Sequence, residues 1–107
     1  MKTQTLNTEE ASNKSWAAQD ARQRNLSNKS HYSYAVQTQI ERMKLALGLV
    51  YTARNIYEAY GKKGISIKVD RASIRDRKNL ELLEADWSVQ GFVKRVSEQG
   101  VIYRLAA

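Results

Sequence analysis

The chain has 107 residues, 42% hydrophobic and 27% charged, with eighteen Lys and Arg against eleven Asp and Glu and a net charge of +7. That is enough for one domain with its own core, and the lack of cysteine excludes disulfide staples and thiolate zinc sites. No run reaches the roughly 18 apolar residues of a spanning helix. The polar start lacks the apolar stretch of a secretory signal, so a cytoplasmic protein is expected.

A surplus of this size favours an anionic partner: nucleic acid, an acidic protein surface or an anionic membrane. It amounts to +2 in residues 1–31, +3 in 32–64, +3 in 65–80 and −1 in 81–107. The basic character therefore lies in the middle of the chain.

Residues 1–30 read as a polar arm with a short helix candidate at 16–26, for which Ser15 is a suitable N-cap. Ser-Asn-Lys-Ser occurs at 12–15 and again at 27–30, and both copies read as helix-start and turn chemistry. Residues 31–107 read as a single α+β domain. Its first element is a long amphipathic helix over 33–60, free of proline and interrupted only by Gly48. Ile40, Met43, Leu47, Val50 and Tyr57 share one face, and Leu45, Leu49, Ile56 and Tyr60 widen it. A face that broad leaves room for a second subunit, so a homodimer through this helix is expected.

Gly61-Lys62-Lys63-Gly64 is expected to end the helix, either as a glycine cap with a basic turn or as a phosphate clamp of the GxxG kind. Ile65, Ile67 and Val69 then alternate with Ser66, Lys68 and Asp70, which is a strand pattern. Ser73 to Asp76 reads as a weak capping box that opens one or two helices, with Leu80, Leu83 and Trp87 on their buried face. The tail from Gly91 reads as two β-prone runs joined by Ser97-Glu98-Gln99-Gly100, with the glycine taking a positive φ.

Long helix, short strand, one or two helices and a C-terminal β-hairpin is the element order of a winged helix-turn-helix domain. The closing GFVKRVSEQGVIYRL resembles the wing of that superfamily, and the order of elements from Ser33 to Ala107 is similar to it as a whole. The resemblance implies a DNA-binding regulator of the sort phage and plasmids use. A core hairpin with solvated edge charges explains the same residues without any ligand.

Arg71, Arg75 and Lys78, spaced i, i+4, i+7, are expected to line one helical face with Arg77 alongside. With Lys62, Lys63 and Lys68 they make the expected phosphate surface, and Lys94, Arg95 and Arg104 support it from the hairpin. Tyr57 and Tyr60 lie beside Lys62 and Lys63, an aromatic-basic grouping that stacks bases or packs a helix end. Glu81, Glu84 and Asp86 fall where the resemblance places a recognition helix, and phosphates repel them there. Binding then runs through Arg71 to Lys78, or the chain is an inhibitor or assembly factor docking on an acidic partner. His31 reads as an exposed helix-entry residue, and Glu81 with Glu84 as a solvated pair. No enzyme, cofactor, metal or membrane contact is expected, and DNA is favoured over RNA.

Overall fold

The structure, a computed structural model, describes residues 22–106. The polar stretch 1–15 and residues 16–21 of the expected first helix lie outside the described residues; residues 22–29 are helical and are called α1. After it come α2 (Tyr34–Val50), β1 (Tyr51–Thr52), β2 (Asn55–Gly61), β3 (Gly64–Asp70), β4 (Ser73–Ile74), α3 (Arg77–Val89), β5 (Val93–Ser97) and β6 (Gly100–Ala106). No described helix is long and apolar enough to cross a membrane.

The serine hydroxyl of Ser33 opens α2 by accepting a hydrogen bond from the Val36 N–H at 3.2 Å. Ile40, Met43, Leu47 and Val50 form the buried stripe, as their spacing predicts. The helix stops at Val50, ten residues before its expected end at Tyr60, because Tyr51 is already extended and Asn55–Gly61 pairs as a strand with β3. Ile56 and Tyr60 suit a helical stripe, but with Glu58 they also suit every second place of a strand, and the pairing decides it. Leu45 and Leu49, expected to widen the buried face, are 72% and 73% exposed.

β1 and β4 form a two-stranded ladder, Tyr51 opposite Ile74 and Thr52 opposite Ser73. The other four strands make an antiparallel sheet in the order β2-β3-β6-β5. Gly61-Lys62-Lys63-Gly64 is therefore a two-residue hairpin turn and not a helix cap, with Gly64 at φ 148°. The closing hairpin forms as expected. Its turn is Glu98-Gln99, and Gly100 takes the positive φ, also 148°.

Ser73 does not open α3. Asp76 is the N-cap, accepting from the Asn79 N–H at 3.2 Å and from Asn79 Nδ2 at 2.7 Å. Leu80 and Trp87 are buried and Leu83 packs against the core beside them, as their spacing predicts.

The core lies between one face of the sheet and the pair α2 and α3. Ile65, Ile67, Val69, Val101 and Tyr103 face Ile40, Met43, Leu47, Leu80 and Trp87 there. The Trp87 and Tyr103 rings meet edge to face, their centroids 5.3 Å apart, and the hydroxyls of Tyr51 and Tyr103 are 3.0 Å apart. α1 covers the free edge of β2: Asn25 Oδ1 accepts from the Tyr60 N–H at 2.6 Å, and Asn28 Nδ2 donates to the Tyr60 carbonyl at 3.0 Å. Tyr32 adds a bond from its hydroxyl to the Gly61 carbonyl at 2.6 Å. Bonds of this kind contribute about 1 kcal/mol each.

Among the described residues the Tyr60 hydroxyl is the buried side-chain group without a hydrogen-bond partner. Burial, then the charges of Glu58 and Glu41, push its pKa up to about 12. Burial and the bond to Tyr51 move Tyr103 in the same direction. A folded-state value above the unfolded one, about 10, contributes stability that is complete below pH 10 and lost as the pH rises toward 12. Tyr60→Phe is expected to melt at or above the wild-type temperature at pH 7 and to lose less stability above pH 10. Melts across that pH range, followed by circular dichroism, check both expectations.

Candidate nucleic-acid interface

Side chains alternate across a strand, so the register fixes which residues share the face away from the helices. Two rows cross all four strands on that open face. One is Tyr57, Lys68, Ile102 and Arg95; the next is Ala59, Ser66, Arg104 and Val93. Lys62 and Lys63 stand exposed at the β2–β3 turn beside the second row. The carboxylate among the strand residues of this face is Asp70, at the far end of β3. None of Lys62, Lys63, Lys68, Arg95 and Arg104 forms an ion pair with another described residue.

Glu58 and the carboxylates of α3 lie in the other layer. Glu58 points toward the helices and pairs with Lys44 of α2 at 2.5 Å. Burial raises its carboxyl, but the bond to Lys44 and the lysine charge outweigh that and hold it below the ordinary value. Glu84 of α3 pairs with Lys94 at 2.8 Å. Lys94 sits opposite Tyr103 on the helix side, so of the two adjacent basic residues in β5 only Arg95 faces outward. Because α3 packs on the core face through Leu80 and Trp87, Glu81, Glu84 and Asp86 belong to the layer opposite Lys68, Arg95 and Arg104.

The remaining expected residues form a second group. Arg71 sits in the turn after β3 at φ 49°, its N–H bonded to the Gln99 carbonyl at 2.7 Å. The Arg75 N–H donates to the Val50 carbonyl at 2.7 Å, and its Nε donates to Thr52 Oγ1 at 3.3 Å. Arg77 and Lys78 occupy the first turn of α3. Arg71 and Arg75 precede the helix, so Arg71, Arg75 and Lys78 do not share a helical face as their spacing predicts. This group lies at the Asp70 end of β3, about 20 Å from the lysine turn at its other end.

Two hollows open on the sheet face and meet at Ser66 and Arg104. One runs over Val93, Arg95 and Ile102, and the other over Ala59, Lys62 and Lys63. Uncharged side chains, Ala59, Ser66, Val93 and Ile102 among them, line the hollows together with Lys62, Lys63, Arg95 and Arg104. The chain matches no family model, no curated protein and no solved structure. The functional reading therefore rests on the chemistry of this face. Sequence reasoning missed the placement of Tyr57, although the alternation from Asn55 to Gly61 carries the signal for it; the alternation of the last strand does set Ile102 and Arg104 together, on the side opposite Val101 and Tyr103.

Proposed function

We propose that the chain is a small nucleic-acid-binding protein that holds phosphates on the open face of its sheet. The observation that carries this reading is the segregation of charge. Lys68, Arg95, Arg104 and the turn lysines share one side, while α3 carries its carboxylates on the other. Guanidinium and ammonium groups that form no ion pair among the described residues remain available to phosphates and release counterions on binding. In the winged-helix reading the hairpin of β5 and β6 is the wing, and Arg95 and Arg104 are its phosphate contacts, so both readings meet on one surface. Titration of a labelled single strand and a labelled duplex by fluorescence anisotropy, at two salt concentrations, tests the proposal. Binding that weakens steeply with salt supports it, and no binding to either probe at low salt overturns it.

A second reading, a protein-docking surface, has its own observation. Leu49 and Leu82 are exposed at a hollow between α2 and α3, and Leu45 is exposed one turn before Leu49 on α2. A second copy of the chain offers the same leucines in return, as a two-fold contact requires, and it would realise the homodimer expected from this helix. On this reading Leu45→Ser with Leu49→Ser keeps the circular dichroism of the folded chain and converts a dimer to a monomer in sedimentation equilibrium. A wild-type chain that sediments as a monomer overturns it.

A further inference from the structure

Resting on the phosphate-binding reading of the open face, we infer that the ligand is single-stranded, with a base stacked on Tyr57. Tyr57 is 44% exposed and stands at the β2 end of the row that continues through Lys68, Ile102 and Arg95. The ring lies outside the buried core cluster, and Lys68 Nζ lies 6.0 Å from its centroid. An exposed aromatic ring directly opposite a lysine on the sheet offers a stacking surface with a cation beside it.

The next row gives the rest of the chain somewhere to go. Ala59 and Ser66 leave a low floor beside Tyr57, and Arg104, Lys62 and Lys63 border it. A base stacked on Tyr57 therefore brings its neighbouring phosphates over cations. Duplex DNA fits this face poorly for two reasons. Its bases are already stacked on one another, so none is available to the ring. Its major groove, about 12 Å wide, admits a helix or a two-stranded ribbon, whereas four strands at about 4.8 Å spacing span roughly 14 Å between their outer backbones. A single strand laid across the rows meets neither obstacle.

The experiment uses three fluorescein-labelled probes of equal length: an oligothymidylate, an abasic sugar-phosphate strand and a duplex. Each is titrated with the full wild-type chain, Tyr57→Ala, Tyr57→Phe and Tyr57→Leu. The wild type is expected to bind the oligothymidylate more tightly than the duplex. Tyr57→Ala and Tyr57→Leu should each weaken oligothymidylate binding by roughly 5-fold to 150-fold, the range for loss of one stacked base. Tyr57→Phe should bind as the wild type does, and no Tyr57 substitution should change binding of the abasic strand. Because the leucine variant keeps a bulky side chain on the strand, it carries the test if the alanine variant folds poorly. Equal affinity for duplex and single strand, or an unchanged oligothymidylate affinity in the leucine variant, overturns the single-strand inference while salt-sensitive binding still supports phosphate contact. Failure of all three probes to bind at low salt overturns both.

Discussion

Lys68→Glu combined with Arg104→Glu is expected to remove nucleic-acid binding at moderate salt and leave the melting temperature close to that of the wild type. The two side chains are diagonal neighbours on β3 and β6, since Lys68 lies opposite Ile102 and Arg104 follows two residues later. Each reversal removes a cation and sets a carboxylate against the phosphate it would have met, so affinity should fall about 100-fold or more. Neither side chain contributes to the core, so the cost in stability is the few tenths of a kcal/mol typical of exposed strand positions. The alanine pair at the same sites isolates the counterion effect. For a single strand, two lost phosphate contacts should flatten the slope of log affinity against log salt by about 1.4. Anisotropy titrations across salt concentrations measure the slope, and thermal melts confirm the fold. Arg71→Ala with Arg75→Ala is the companion pair at the other end of the sheet. Loss of binding there, with none at Lys68 and Arg104, would move the interface to that end.

The largest effect on stability should come from a single methyl group at Gly100. Its φ of 148° is open to glycine and strained for any other residue. A Cβ there would also press on the Val69 carbonyl oxygen and come within 3.1 Å of the Arg71 nitrogen. Both are main-chain atoms at the end of β3, a central strand, and they cannot turn aside as a flexible side chain would. Gly100→Ala is expected to cost about 3 kcal/mol or more and to lower the melting temperature by roughly 10 °C or more. Gly48→Ala serves as the control. That position is inside α2, where the nearest atom to a new Cβ is Ile56 Cδ1 at 3.9 Å. Removing a helical glycine there should stabilise by about 0.5–1 kcal/mol. A Gly100→Ala protein that melts with the wild type would mean that the turn relaxes without disturbing β3.

How much of this was legible in the sequence depended on whether local spacing or distant pairing decided each element. Ile40, Met43, Leu47 and Val50 announce α2, and Leu80, Leu83 and Trp87 announce α3, because a helix buries residues three and four apart whatever its partners. The closing hairpin was equally readable from its turn and flanking β-prone runs. Residues 51–61 were not. Ile56 and Tyr60 are four apart and two places from Glu58, so helix and strand both accommodate them until β3 supplies a ladder. The same ambiguity hid Tyr57, which changes from a buried helical position to an exposed one on the sheet. Lys68, Arg95 and Arg104 were legible as basic residues but not as neighbours. Only the strand order β3-β6-β5 sets them on one surface, and that order is a long-range property. The carboxylates of α3 looked like an obstacle to binding until the layers separated them from that surface.

The alternation within β3 and β6 has a consequence for how such a molecule can change. Ile65, Ile67 and Val69 serve the interior while Ser66 and Lys68 between them do not, and Val101 and Tyr103 stand in the same relation to Ile102 and Arg104. Folding and recognition are thus written on alternate letters of the same short words. A substitution at an outward position revises what the surface accepts and asks nothing of the interior, so no compensating change is needed to keep the protein folded. Affinity, charge and preference for one anionic ligand over another can drift one residue at a time on a scaffold that does not register the difference.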